Sequence, residues 1–314
     1  MDYILLLIGF VLLIKGADFF VDGASSIAKA LKVPALIIGL TIVAFGTSAP
    51  ELAVSVSSAM KGQNGIAVGN VVGSNIFNLL MVVGSAAIIY PLAVKKSVLV
   101  KEFPFTLLSG VALFIMVQDI ALDNGNMNML SRIDGIMLLF FFGIFMYYLI
   151  EVALKARANG EEEEIEGMPL GKSILFAIGG IVGIVIGGDM VVNSASSIAR
   201  AWGMSETLVG LTIIAIGTSL PELVTSIVAA RKGESDIALG NVIGSCIFNV
   251  FLILGVSSVI NPIEMAGPIF TDILIMIIVT IATYFFAINK KITRVEGGLL
   301  VGSYVIYMAY IIMR

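Results

Sequence analysis

Residues 39–51 read GLTIVAFGTSAPE and residues 69–78 read GNVVGSNIFN, and both motifs recur 171 positions later, at 210–222 and 240–249. Over the 40 positions that each copy spans, 25 residues are identical and the alignment needs no insertion or deletion. Each copy places one glutamate inside an otherwise apolar stretch. A charge at membrane depth is costly and is by default a functional-site hypothesis. The duplication therefore predicts one site that is built from two halves.

The composition indicates a polytopic membrane protein. Of the 314 residues, 59% are apolar and 13% are charged, and the mean hydropathy is +1.07. An ordinary soluble domain has roughly 45–50% apolar and about 25% charged residues. The net charge of −4 comes without a basic cluster, so we expect no nucleic-acid partner. The single cysteine excludes an internal disulfide, and the absence of histidine removes the commonest transition-metal ligand and general base.

Apolar runs of about 20 residues have the length of transmembrane helices. We predict ten of them, at 3–23, 34–60, 66–90, 103–118, 133–154, 171–198, 206–230, 237–260, 268–288 and 296–313.

This pattern predicts an all-α fold of two five-helix repeats, at 1–154 and 171–314, joined by a linker at 155–170. The duplicated motifs occupy 39–78 in the first repeat and 210–249 in the second. Because five is an odd number, the second repeat enters the membrane from the opposite side. The repeats are therefore expected to be inverted, as in many secondary transporters.

The distribution of lysine and arginine predicts the orientation, because both favour the cytoplasmic side in short loops. The loops that follow odd-numbered helices, together with Lys172 at the same edge, hold 13 of these residues, against four in the other loops and at the C-terminus. We therefore expect both termini outside and the linker, with its acidic run at 161–164, in the cytoplasm as a solvated hinge. We expect a multi-pass protein of the cell (inner) membrane that functions as a monomer.

Two prolines predict broken helices at the centre of each repeat. Pro50 and Pro221 lie mid-span in the second and seventh helices. Proline lacks an N–H and clashes with the carbonyl four residues earlier, so each helix should break near 47–48 or 218–219. Broken backbone at membrane depth is tolerated where it is buried or lines a cavity, and transporters use its free carbonyls to coordinate small cations.

Glu51 and Glu222 follow these prolines directly. An acidic residue at a helix centre costs about 2.5–3.5 kcal/mol on insertion scales, so a compensating positive charge is needed. The second, third, seventh and eighth spans contain no lysine or arginine except at their ends, and Lys15 has a nearer partner in Asp18. A bound cation is therefore the expected counter-charge, with protonation of the carboxyls as the alternative.

The third and eighth helices add oxygen ligands. Polar residues recur there every four positions and so share one helical face: Asn70, Ser74 and Asn78 in the first copy, and Asn241, Ser245 and Asn249 in the second. With two carboxylates, this makes an all-oxygen site of charge about −2. Calcium prefers 6–8 oxygens and sodium accepts the same groups, whereas magnesium fits a closed protein cage less well. The chemistry leaves calcium and sodium open.

At these motifs the chain resembles the calcium/cation antiporter superfamily, and in particular its sodium/calcium exchanger-like prokaryotic branch. The resemblance rests on GTSxPE and GNxxGSxxxN, each present twice, and it covers nearly the whole chain. It implies antiport of sodium and calcium by alternating access, with the first and sixth helices sliding past a rigid core. It also implies no enzymatic activity and no organic cofactor.

The resemblance also implies roles for individual residues. Glu51 and Glu222 would bind calcium, helped by the backbone oxygens of Thr47 and Thr218. Asn78 and Asn249 would lie near the central position. Flanking sodium sites would use Ala44, Ser48, Ser74, Ala215, Ser219 and Ser245.

The chain departs from the superfamily pattern in two ways. Some members, including potassium-dependent exchangers, have an aspartate where this chain has Asn249. Proton-coupled exchangers have a glutamate where this chain has Ser74 and Ser245. We therefore predict a sodium-coupled calcium antiporter, with proton- or potassium-coupled cation exchange as the alternative. An intramembrane hydrolase with paired acids and a passive cation channel are the competing classes.

Two further features concern residues outside the predicted ligand set. Asp18 and Asp189 are repeat equivalents late in the first and sixth helices, where they would anchor at the interface or take part in gating. Cys246 stands where the first copy has Asn75, and packing as a small residue is its default role.

Overall fold

A computed structural model describes residues 2–62, 64–122, 127–159, 168–203, 215–265 and 267–313. Its helices are α1 (Asp2–Leu31), α2 (Ala35–Thr47), α3 (Ala49–Met60), α4 (Gly65–Ile89), α5 (Val98–Met116), α6 (Asp119–Leu122), α7 (Arg132–Ala158), α8 (Leu170–Ala201), α9 (Ala215–Gly217), α10 (Leu220–Arg231), α11 (Ser235–Ile260), α12 (Gly267–Ala287) and α13 (Arg294–Met313). Short strands are β1 (Leu92–Ala93), β2 (Met129–Leu130), β3 (Ile263–Glu264) and β4 (Lys291–Ile292).

Within these ranges, eight helices are long and apolar enough to cross a membrane, and the bent pair α2–α3 makes a ninth candidate span. These nine coincide with nine of the ten predicted spans. The predicted seventh span, 206–230, begins outside the described residues and is described only from α9 onward. The chain is therefore a multi-pass α-helical membrane protein, and ten spans in inverted repeats stay a prediction.

The strands pair across the two predicted repeats. β1 pairs antiparallel with β4, and β2 pairs antiparallel with β3. β1 and β3 occupy equivalent positions in the two repeats, 171 residues apart. Each pair thus joins one strand of residues 1–154 to one strand of residues 171–314. These short pairings were not predicted from the sequence.

Helices α1 and α8 pack closely against each other at glycine positions. A Cβ added at Gly16 would lie 2.7 Å from the backbone nitrogen of Ile184, and one added at Gly180 would lie 2.5 Å from that of Phe20. Only glycine fits at these points. Small residues let transmembrane backbones approach closely, which favours van der Waals packing in place of a hydrophobic driving force.

The motif helices lie in the interior. α4 and α11 are the most buried of the spanning helices, and α11 packs on α2 through Gly240 and Gly244. A Cβ at Gly244 would lie 2.9 Å from the carbonyl oxygen of Leu40. π-helical segments at Gly39–Val43, Asn78–Val82 and Phe248–Leu254 follow or lie within the motifs and were also not predicted.

Both helix breaks occur where the prolines predict them. α2 ends at Thr47 and α3 begins at Ala49, with a bend of 50° between them. The intervening Ser48 has φ −82° and ψ 7°, outside the helical region. α10 likewise follows Ser219, whose φ is −94° and ψ is 7°. Each proline then sits in the first turn of the next helix, where its missing N–H is not needed.

Candidate cation-binding site

Glu51 and Glu222 lie in the first turns of α3 and α10 and are completely buried. Each carboxylate accepts a hydrogen bond from a serine at the helix break of the other repeat. Ser48 Oγ donates to Glu222 Oε1 at 2.9 Å, and Ser219 Oγ donates to Glu51 Oε1 at 2.9 Å. The two broken helices are therefore joined directly through their glutamates.

Serines of α4 and α11 complete this arrangement. Ser74 Oγ lies 3.5 Å from Glu51 Oε1 and 2.9 Å from Ser219 Oγ. Ser245 Oγ lies 3.4 Å from Glu222 Oε1 and 2.9 Å from Ser48 Oγ, the serine at the break between α2 and α3. The predicted residues from both repeats are thus brought together in one centre, with matching contacts on its two sides.

Several oxygens of the predicted ligands have no hydrogen-bond partner. They are Glu51 Oε2, Glu222 Oε2, Asn78 Oδ1 and Asn249 Oδ1, all buried. An unsatisfied buried acceptor costs about 1–3 kcal/mol, and more when it is charged. Such oxygens on predicted ligands from both repeats favour a ligand that accepts electron pairs, which is the chemistry of a cation.

No basic side chain supplies the counter-charge in the part of the chain that the structure describes. The ion pairs there involve Lys15, Lys95, Lys155 and Lys232, all with acids other than Glu51 and Glu222. Lys15 lies 3.8 Å from Asp18, as predicted. A buried acid left without its partner destabilises a protein by about 3–5 kcal/mol.

The threonines at the breaks tie the repeats together through their side chains. Thr47 Oγ1 donates to Asn241 Oδ1 at 2.8 Å, and Thr218 Oγ1 donates to Asn70 Oδ1 at 3.3 Å. Each asparagine in turn donates to a serine of its own repeat: Asn70 to Ser55 at 3.0 Å, and Asn241 to Ser226 at 2.9 Å. These asparagines hold the broken helices against α4 and α11.

The alanines predicted for flanking sites lie on the last turns before the breaks. The carbonyl of Ala44 accepts hydrogen bonds from the N–H of Ser48 at 3.0 Å and from Thr47 Oγ1 at 3.3 Å, so it is engaged in this structure. Ala215 begins α9, and its side chain lies outside the described part.

Asn75 is a residue that the sequence interpretation did not assign to the site. Its Oδ1 accepts a hydrogen bond from Asn249 Nδ2 at 3.0 Å, and its Nδ2 donates to the carbonyl of Cys246 at 3.1 Å. The signal was present as the only non-conservative difference between 69–78 and 240–249.

The fold and the centre define a class: a multi-pass membrane protein with a buried, two-sided set of oxygen ligands at the breaks of two helices. Residues 1–151 and 172–313 match the family described as "Sodium/calcium exchanger protein". The chain belongs to this sodium/calcium exchanger family.

Individual relatives agree with this assignment. The sodium/calcium exchanger MaX1 of Methanosarcina acetivorans is 35% identical, over 98% of this chain and 97% of the relative. The inner membrane protein YrbG of Escherichia coli is 37% identical, over 97% and 95%. A structure of the sodium-calcium exchanger NCX_Mj, soaked with zero Na+ and Ca2+, matches with a TM-score of 0.85 and 31% identity, over 99% of this chain and 98% of that one.

Proposed function

We propose that this chain, a cation antiporter by family, exchanges sodium for calcium across the membrane by alternating access, with calcium held between Glu51 and Glu222. The observation that carries the proposal is the pair of buried carboxylates, each with one oxygen satisfied by serines and the other without a partner. The two free carboxylate oxygens and the free oxygens of Asn78 and Asn249 supply hard ligands of the kind that calcium prefers.

The charge of this centre explains why transport would be an exchange. Two carboxylates without a cation leave about −2 charges in a low-dielectric interior, which is strongly unfavourable. One calcium ion, or two sodium ions, neutralises them. The ion-free protein therefore resists switching between its inward-facing and outward-facing states. One ion must replace the other before the protein switches. A passive channel would not need this neutralisation.

Sodium ions would occupy the flanks of the same centre. The hydroxyls of Ser48, Ser74, Ser219 and Ser245 are present there, and the backbone oxygens of Thr47 and Thr218 complete the predicted calcium site. Ala44 and Ala215 would contribute carbonyl oxygens to sodium. Because the carbonyl of Ala44 already accepts two hydrogen bonds, that role requires a rearrangement of the α2 end when sodium binds.

The proposed movement is a slide of α1 and α8 past the helices that hold the centre. The close glycine packing between α1 and α8 supports their motion as a unit. The proposed architecture is two inverted repeats, 1–154 and 171–314, joined by a cytoplasmic linker at 155–170. Both termini would lie outside, and one chain would suffice for transport.

Calcium flux in proteoliposomes tests this function. An outward sodium gradient, formed by loading the vesicles with sodium, should drive calcium uptake, whereas proton or potassium gradients imposed without sodium should not. Uptake that follows a proton or potassium gradient instead would assign the alternative coupling ion. Flux that ignores every imposed gradient would contradict antiport.

A further inference from the structure

The centre is nearly twofold, but its two central asparagines are held differently. Asn249 Nδ2 donates to Ser74 Oγ at 3.2 Å and to Asn75 Oδ1 at 3.0 Å, which uses both of its N–H groups. Asn78, its repeat equivalent, has no hydrogen-bond partner at either side-chain atom. Both residues are completely buried. The asymmetry therefore lies in their partners and not in their exposure.

The cause is one difference between the repeats. Asn75 and Cys246 are equivalent positions, and each contacts the other's backbone: Asn75 Nδ2 donates to the carbonyl of Cys246 at 3.1 Å, and Cys246 Sγ lies 3.9 Å from the carbonyl oxygen of Asn75. Equivalent residues that contact each other lie on the axis that relates the two halves. At this axis, asparagine offers a strong acceptor to Asn249, whereas cysteine offers only a weak one to Asn78.

We propose that Asn75 is a positioning residue that fixes the amide of Asn249 so that its oxygen faces the cation. With both N–H groups bound to Ser74 and Asn75, the free Oδ1 of Asn249 is the only atom of that amide left for a ligand. Asn78 has no such restraint and can present either end of its amide. The two halves of the centre are thus unequal: one asparagine oxygen is preorganised and the other adapts. This inference rests on the proposed function.

Calcium-dependent exchange in proteoliposomes tests the inference through the Asn75→Ala variant. Outer-shell groups that orient a ligand typically contribute 10–100-fold to metal affinity. We expect Asn75→Ala to raise the calcium KM by about tenfold or more while the maximal rate is kept, because the glutamates and serines are untouched. Cys246→Ala is the matched control at the equivalent position and should leave KM unchanged.

A double-mutant cycle separates positioning from general damage. If Asn75 acts through Asn249, the double variant Asn75→Ala/Asn249→Ala should have the KM of Asn249→Ala alone, since contacting residues are not additive. An unchanged KM in Asn75→Ala, or losses that simply add, would overturn the inference. Loss of sodium-driven uptake in the unmodified protein would instead overturn the proposed function. Gel filtration and thermal unfolding of each variant identify misfolding.

A second, independent observation concerns the ends of the same helices. Lys232, in the turn between α10 and α11, contacts α1 at three points: the carbonyl oxygen of Asp18 at 2.9 Å, its carboxylate at 3.5 Å and Asp22 Oδ1 at 2.7 Å. Ser25 of α1 also donates to Glu234 at 2.8 Å. α1 is therefore attached to one end of the broken helix of the second repeat.

The opposite end keeps the lysine and one of the two acids but lacks the contacts, and Asn193 stands there in place of Asp22. Lys61 is the repeat equivalent of Lys232, and Asp189 is that of Asp18. Gly62 and Gly233, which follow the two lysines, both have positive φ, at 70° and 78°. Lys61 and Asp189 both lie in the described ranges, are exposed and form no ion pair, and α8 does not pack along α3 as α1 packs along α10.

We infer that the two lysines are alternate latches. Lys232 binds α1 in the state seen here, and Lys61 binds α8 in the opposite-facing state. The inference rests on alternating access as proposed above. The individual pairs are partly exposed and therefore weak, as a contact that must break in every transport cycle should be.

Matched cysteine pairs in a Cys246→Ala background test the latches. Asp22→Cys with Lys232→Cys, and the equivalent pair Asn193→Cys with Lys61→Cys, are treated with a short bifunctional thiol reagent that a reductant cleaves. Both pairs should cross-link, each cross-link should stop exchange, and reduction should restore it. A shift in sodium or calcium that increases one cross-link should decrease the other. Failure of the Lys61 pair to cross-link in a protein that transports would overturn the inference.

Discussion

The two halves of the centre hold their glutamates in the same way but hold their asparagines differently. Each glutamate is bound by a break serine of the other repeat and by a serine of its own repeat, at closely matching distances. The asparagines one helix away differ, because Asn249 is fully hydrogen-bonded through its amide nitrogen and Asn78 is not. The comparison teaches that duplication preserves the electrostatics of the centre, while one change on its axis differentiates the ligands.

The largest expected effect comes from removing either charge. Glu51→Gln and Glu222→Gln should each reduce exchange by more than about 100-fold, since even the outer-shell partners of metal ligands contribute 10–100-fold. Without cations, each variant should unfold at a higher temperature than the unmodified protein, because an unpaired buried charge is gone. Exchange assays and thermal unfolding check both results. Full activity in either variant would contradict the claim that both glutamates are needed for exchange.

The break serines provide a matched pair of intermediate effect. Ser48→Ala and Ser219→Ala each remove a donor to the opposite glutamate, and hydrogen bonds to charged groups contribute about 1.5–3 kcal/mol. Each variant should therefore raise the calcium KM by about tenfold or more, and by similar factors. Titration of calcium-dependent exchange measures this. If the calcium KM were unchanged in only one of the two variants, the two glutamates would not be held equally.

Substitution of the two central asparagines should have different effects on the stability of the protein. Asn249→Ala removes two hydrogen bonds and leaves Asn75 Oδ1 without its donor, so the free energy of unfolding should fall by about 1–2 kcal/mol. Asn78→Ala removes no hydrogen bond in this structure and should be close to neutral. Thermal unfolding of the two variants in the same detergent compares them. Equal losses would contradict the asymmetry.

The smallest effect is expected at the serines behind the centre. Ser55 and Ser226 each accept a hydrogen bond from an asparagine that packs the broken helix, at 3.0 and 2.9 Å. Interhelical hydrogen bonds in membranes average about 0.6 kcal/mol. Ser55→Ala and Ser226→Ala should lower stability by about that amount and leave the calcium KM unchanged. A tenfold change in the calcium KM would show that these serines take part in calcium binding.

Much of this centre follows from local sequence rules. Pro50 and Pro221 determine the helix breaks because proline cannot donate to the preceding turn, and the four-residue spacing of Ser74 and Asn78 places them on one face. Those rules act within one helix. They predicted the breaks at 47–48 and 218–219, and the structure has them there.

The contacts between helices were beyond such rules. Ser48 lies one turn before Glu51 in the sequence, but in the structure it binds Glu222 of the other repeat. The role of Asn75 depends on the same tertiary crossing, because its partner Cys246 is 171 residues away. The π-helical segments and the short strand pairs also depend on tertiary packing, which residue spacing does not encode.

The central claim is that both repeats build one calcium site. Calorimetric titration of calcium into the purified protein without sodium tests it most directly, with Glu51→Gln and Glu222→Gln measured alongside. The account predicts one calcium ion per chain at this centre, weakened by added sodium and lost in either variant alone. Two independent calcium ions per chain, each removed by only one of the two substitutions, would contradict it.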